Sequence, residues 1–139
     1  IDARSGKIRL RNAVAAHDVG RAIHREMLHG QFYGGMAMGA GYALQETLHC
    51  QGGKIENLNF HTYRILRSQD LPPMKAILIE NPDPQSPSGA KSIGEPTNEL
   101  MAPAIANAVY QATGIRPFHI PILDPLQRNR PVTPDAVRQ

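Results

Sequence analysis

The chain has 139 residues, 41% hydrophobic and 19% charged, which fits one globular domain with a buried core and excludes wholesale disorder. Its single cysteine, Cys50, excludes an internal disulfide framework and a cysteine-rich zinc or iron–sulfur site. Net charge is +3, and Arg4, Arg9, Arg11, Arg21 and Arg25 crowd the start. The chain has no Trp and no aromatics interleaved with those arginines, so they read as a basic surface and not as a nucleic-acid platform. No apolar run approaches a membrane span and no signal-peptide core opens the chain, so no membrane partner and a cytoplasmic location are expected.

The first residue is not Met and a strand pattern begins at once, which predicts a piece of a longer polypeptide. "SGKIRLRNAVAAHD" (5–18) predicts one strand or two, with Ile8, Leu10 and Val14 alternating as on a half-buried strand, and "VGRAIH" (19–24) breaks it. Residues 29–48 predict a helix. Its apolar positions, Met36, Ala37, Met38, Ala40, Tyr42, Ala43 and Leu44, surround it and predict burial on most sides. A Gly-Gly turn and a short extended piece follow, then an irregular stretch closed by Pro72 and Pro73. "MKAILIENPDP" (74–84) predicts a strand bounded by Asn81 and Pro82. A loop rich in Gly, Ser and Pro leads to a second helix over 98–115, with Gly114 at its end. The tail is Pro-rich, and residues 127–139 are expected to be mobile. The fold class is α+β, a small β-sheet with two main helices.

Several motifs fail on spacing. "GGMAMGAG" lacks the dinucleotide fingerprint, "SGAKSIG" lacks the first glycine of a phosphate loop, and no two histidines show the i, i+4 spacing of a helical zinc site. No residue is expected to coordinate a metal directly. Gly34, Gly35, Gly39 and Gly41 each cost a helix about 0.8–1 kcal/mol relative to Ala. They serve either tight packing against another element or close approach of a bulky cofactor, and spacing does not separate the two.

Glu95 stands between Gly94 and Pro96 at the entry to the second helix. One reading is a helix start, with Thr97 or Asn98 as cap and Glu95 and Glu99 favouring its positive end. The other is a general base held rigidly in a loop, with Lys91 four residues earlier as a possible ion-pair partner. By spacing alone the cap is the commoner arrangement.

"GAKSIGEPTNELMAPAIANAVYQATG" (89–114) resembles the C-terminal region of the molybdenum-binding subunit in the xanthine dehydrogenase and aldehyde oxidase family. "AVAAHDVGRAIHR" (13–25), "GQFYGGMAMGAGYALQE" (30–46) and "TYRILR" (62–67) agree with the same family in order and spacing, so the likeness covers about residues 1–120. Thr97 departs from the family's second proline, His24 to Glu26 from its Asn-Pro, and Leu66 from a frequent Pro.

The resemblance implies that residues 1–126 are the C-terminal part of a molybdopterin-binding domain. It makes Glu95 the catalytic base, and Gln31, Ile93 and Gly94 neighbours of the molybdopterin cofactor. It further implies partners that this chain does not supply: the remainder of the molybdenum-binding chain, and iron–sulfur clusters and FAD in other domains or subunits. The implied reaction hydroxylates an N-heterocycle, such as a purine, or an aldehyde, using water, and the 139 residues alone would be inactive. The alternative is a cofactor-free interaction domain of the same fold.

Overall fold

The computed structural model describes residues 1–122; residues 127–139 lie outside them. Strand β1 (Ala13–Asp18) leads into the long helix α1 (Arg25–Leu44), which returns the chain to β4 (Met74–Ile79). Between α1 and β4 lie a two-residue hairpin, β2 (Cys50–Gln51) and β3 (Lys54–Ile55), and a 3-10 turn (Ser68–Asp70). A single helical turn α2 (Pro96–Glu99) and helix α3 (Met101–Thr113) follow β4. The architecture is the expected one of small sheets with two main helices.

β1 and β4 pair in parallel with Ala13 opposite Met74 and Asp18 opposite Ile79. Parallel neighbours need a long crossover, and α1 supplies it. The expected strand is shorter than its pattern. Ile8 and Leu10 are half-buried against the helices but pair with no strand among the described residues, and within β1 it is Ala13 and Ala15 that turn inward while Val14 faces out, 61% exposed.

Helix α1 starts four residues before the expected position because His24 caps it with Nδ1, which accepts from the Met27 N–H at 3.2 Å. Burial is a stripe and not a full circle. Phe32, Gly35, Met36, Gly39, Ala40 and Ala43 are buried at helical spacing, while Gly30, Gly34 and Met38 are exposed.

The stripe feeds two cores. Phe32 meets Val19 and Ala76 beneath the parallel strands, and Ala40 and Ala43 meet Met101, Ala102, Ile105 and Val109 of α3. Phe32 is fully buried, worth about 1.5–3 kcal/mol on transfer from water.

The second helix is broken where a continuous one was expected. Pro103 has no N–H to give the Glu99 carbonyl and its ring would collide there, so α2 stops at Glu99. A new ladder begins with Ala104 N–H donating to the Leu100 carbonyl at 3.1 Å. Gly114 ends α3 in the left-handed region at φ 73°, a conformation that costs glycine nothing.

Candidate active site

The candidate site lies where the end of β1, the first half of α1 and the loop before α2 converge. It is built from β1 outward. Val19 N–H donates to the Ile79 carbonyl at 2.9 Å, carrying the pairing with β4 one residue past the strand. Lys91 N–H then donates to the Val19 carbonyl at 3.0 Å, and Arg21 N–H to the Gly89 carbonyl at 2.8 Å. Gly20 is bridged antiparallel to Ala90. Its φ is +64°, and a Cβ there would strike the Gly89 carbonyl oxygen and stand 2.8 Å from Lys91 N, so no other residue fits.

Ile93 is half-buried against the cluster of Val19, Phe32 and Ala76, which fixes the loop two residues further along. Gly94 and Glu95 then lie exposed, and nothing stands within 4 Å of where a Gly94 side chain would begin. Past Glu95 the chain is held again. Thr97 is buried, its hydroxyl donates to the Gly94 carbonyl at 3.2 Å, and its Cβ lies 2.6 Å from where a side chain on Gly35 would start. The Tyr42 hydroxyl donates to the Asn98 carbonyl at 2.9 Å.

This geometry removes the side-chain cap of one reading, while Glu95 still lies at the positive end of α2. Glu95 occupies the N-cap of α2, yet its side chain caps nothing, and the Thr97 hydroxyl donates to a carbonyl instead of accepting from the helix. Lys91 does not pair with Glu95. Its Nζ reaches Asp18 Oδ2 at 2.6 Å, and the two other ion pairs among the described residues, Arg25–Glu80 and Arg67–Asp70, lie elsewhere. The Glu95 carboxylate is therefore exposed at the tip of a loop fixed on both sides.

The glycines divide. Gly35 and Gly39 pack tightly, Gly39 with the Asn98 carbonyl oxygen 2.7 Å and Met101 Cβ 2.5 Å from where its side chain would start. Gly30 and Gly34 have nothing within 4 Å. Gln31 is exposed on this open part of α1, on the same helix face as Gly35 and one turn before it. Phe32 beside it shares a core cluster with Ile93, so the turn carrying Gln31 and the Glu95 loop lie against one another. An exposed amide, bare helix backbone and an unpaired carboxylate suit a polar ring system, so these residues fit a pterin.

Asp18, Gly20, Gly35 and Thr97 were not among the residues marked out from sequence as site residues. Asp18 and Gly20 had a signal, since Asp-x-Gly is a turn pattern; the pairing of Asp18 with Lys91 had none. A concavity of about 1470 Å³ among the described residues is lined by residues 7–11 and 64–67 among others and includes neither Gln31 nor Glu95. The same residues hold no cluster of three His, Cys, Asp or Glu side chains suited to a metal ion, and no helix long and apolar enough to cross a membrane.

Known proteins resemble this chain in sequence and in fold. Over 124 residues the chain is 35% identical to the putative xanthine dehydrogenase molybdenum-binding subunit XdhA of Escherichia coli K12, across 88% of this chain and 16% of that protein. It is 36% identical over 125 residues to the aldehyde oxidoreductase molybdenum-binding subunit PaoC of the same strain, across 88% of this chain and 17% of that one. The crystal structure of quinoline 2-oxidoreductase from Pseudomonas putida 86 matches with a TM-score of 0.81 at 26% identity, over 88% of this chain and 16% of that chain. The chain thus spans about a sixth of the length of the curated relatives it matches. Residues 1–72 match the family model of the molybdopterin cofactor-binding domain, and with these relatives beside it the chain belongs to that family.

Proposed function

We propose that this chain is part of a molybdenum hydroxylase, with residues 1–126 forming the C-terminal part of its molybdopterin-binding domain and Glu95 as general base. The substrate is an N-heterocycle, such as xanthine or hypoxanthine, or an aldehyde. The observation that carries the reading is the uncommitted carboxylate of Glu95, exposed between two fixed points, Ile93 and Thr97. A side chain that, among the described residues, neither caps a helix nor pairs with a cation is free to take a proton.

Gln31 would hold the pterin through its amide beside Gly30 and Gly34, and the backbone at Ile93 and Gly94 would face the reacting end. The molybdenum cofactor, when bound, supplies a Lewis acid that activates water and a sink for two electrons. The substrate C–H and water become C–OH, two protons and two electrons, and Glu95 accepts at a carboxylate oxygen the proton released by the attacking water. The hydrogen bond from Thr97 to the Gly94 carbonyl keeps the peptide carrying Glu95 from swinging away. Iron–sulfur clusters and FAD in other domains or subunits carry the electrons onward. Alone, the 139 residues are inactive, since a site for a cofactor of this size needs walls from several segments.

The test is metal analysis and kinetics of the natural complex containing this chain. Molybdenum and iron in stoichiometric amounts are expected, and Glu95→Gln should lower kcat by about 10²- to 10⁴-fold with molybdenum content unchanged. A complex without either metal defeats the hydroxylase reading and leaves an interaction domain, whereas a Gln variant with full activity defeats the assignment of Glu95 as base.

A further inference from the structure

Asp18 ends β1 with a carboxylate that makes two contacts at once. Oδ1 accepts from the Gly20 N–H at 2.9 Å, and Oδ2 accepts from Lys91 Nζ at 2.6 Å, across 73 positions of sequence. The two side chains are about equally shielded, 36% and 33% exposed. Around them lie the backbone bonds from Lys91 to Val19 and from Arg21 to Gly89, so residues 18–21 and 89–91 form one tied unit. Four residues beyond that unit stands Glu95.

By sequence the nearby partner of Lys91 is Glu95, four residues on, but the fold gives Lys91 to Asp18. The hydrogen bond from Lys91, and then that from the Gly20 N–H, hold the Asp18 carboxyl down at about 2, so the pair is charged wherever the protein is folded at neutral pH. An ammonium resting on Glu95 would instead occupy the carboxylate that has to accept a proton.

We propose that Asp18 is a positioning residue for Glu95: it staples the loop carrying the base to the end of β1 and keeps the Lys91 ammonium off that base. The inference rests on the reading of Glu95 as general base. The action of Asp18 on the base would run through the two groups it bonds, Lys91 and Gly20.

The experiment uses the full molybdenum-loaded complex with Asp18→Asn, Lys91→Met, Lys91→Arg and the double variant D18N/K91M, with Glu95→Gln as reference. Asn keeps an acceptor for the Gly20 N–H but loses the charge. Asp18→Asn is expected to lower kcat about 10- to 100-fold with much less change in KM, the size of loss that a displaced catalytic group produces. Lys91→Met and the double variant lose less than Asp18→Asn, because they leave no loose cation, and Lys91→Arg recovers activity over Lys91→Met. Hydrogen exchange in peptides covering residues 17–24 and 86–95 gives a readout independent of turnover. It should quicken in Asp18→Asn and Lys91→Met and stay at the wild-type rate in Glu95→Gln.

Unchanged exchange in Asp18→Asn overturns the proposal, and so does faster exchange with undiminished kcat. If Asp18→Asn fails to assemble, Lys91→Met equal to Lys91→Arg in both rate and exchange overturns it. An active Glu95→Gln variant defeats the base assignment itself and takes the positioning role with it, whereas an inactive one beside a fully active Asp18→Asn defeats only the staple.

Discussion

Gly35 and Gly39 lie beneath the Glu95 loop with Thr97, Asn98 and Met101 pressed against them, whereas Gly30 and Gly34, on the same helix, have nothing within 4 Å of where a side chain would start. One residue type meets two needs a turn apart. On the packed side glycine lets two stretches of chain approach until the loop is seated on the helix. On the open side no part of the described chain uses the missing side chain, and glycine there only weakens the helix, by about 0.8–1 kcal/mol per residue. The sequence tolerates that loss beside the exposed amide of Gln31, which is where the proposed cofactor would approach.

Substitutions can break this contrast. Gly35→Ala should have the largest effect, because its Cβ would stand 2.8 Å from the Thr97 carbonyl carbon as well as against its side chain, and backbone cannot step aside cheaply. A net loss of about 1–3 kcal/mol is expected in spite of the better helix propensity, read as a shorter half-life of the complex on heating. Gly34→Ala should do the opposite, gaining about 0.8–1 kcal/mol in the same assay. If the cofactor lies there, molybdenum content falls while the fold holds; unchanged content would move the cofactor away from this face. Thr97→Val keeps the volume against Gly35 but loses the hydrogen bond to Gly94, at about 0.5–1.5 kcal/mol. Activity should fall further than stability does if the loop must be held still. Acid gives the mildest test. The folded Asp18 carboxyl titrates at about 2 against an ordinary 3.8, so its contribution is complete above about pH 4 and is lost as pH falls toward 2. Exchange in residues 86–95 should quicken over that window before α1 loosens, and Asp18→Asn should abolish the pH dependence.

The sequence carried its strongest signals where a pattern is local. The run of Met74 to Ile79 folds as the strand its residues favour, and Gly114 stops α3 as its conformational freedom allows. The start of α1 was hidden because a histidine, outside the usual Ser, Thr, Asp and Asn set, does the capping. The break before α3 was legible in principle from Pro103, since a proline four residues after Glu99 removes the bond that would join the two helices. What no local pattern could supply was partnership. Ile8 and Leu10 alternate like a strand but have no strand neighbour among the described residues, and Lys91 sits four residues from one carboxylate while bonding another 73 positions away. The candidate site was visible as a loop with a glutamate, but the reason that loop stays put was not.

The tie between residues 18–21 and 89–91 also has a consequence for the order of folding. Contacts this distant in sequence close a long loop, so they form late and only after something has brought their ends together. The parallel pairing of β1 with β4 does so here, since Val19 continues that ladder and Lys91 then bonds to Val19. Helix α1, weakened by its glycines, itself relies on packing, and the loop bearing Glu95 has no seat until both strands are in register. The candidate base therefore takes its place only together with the cores, since Ile93 of its loop packs into one of them and α3 behind it builds the other.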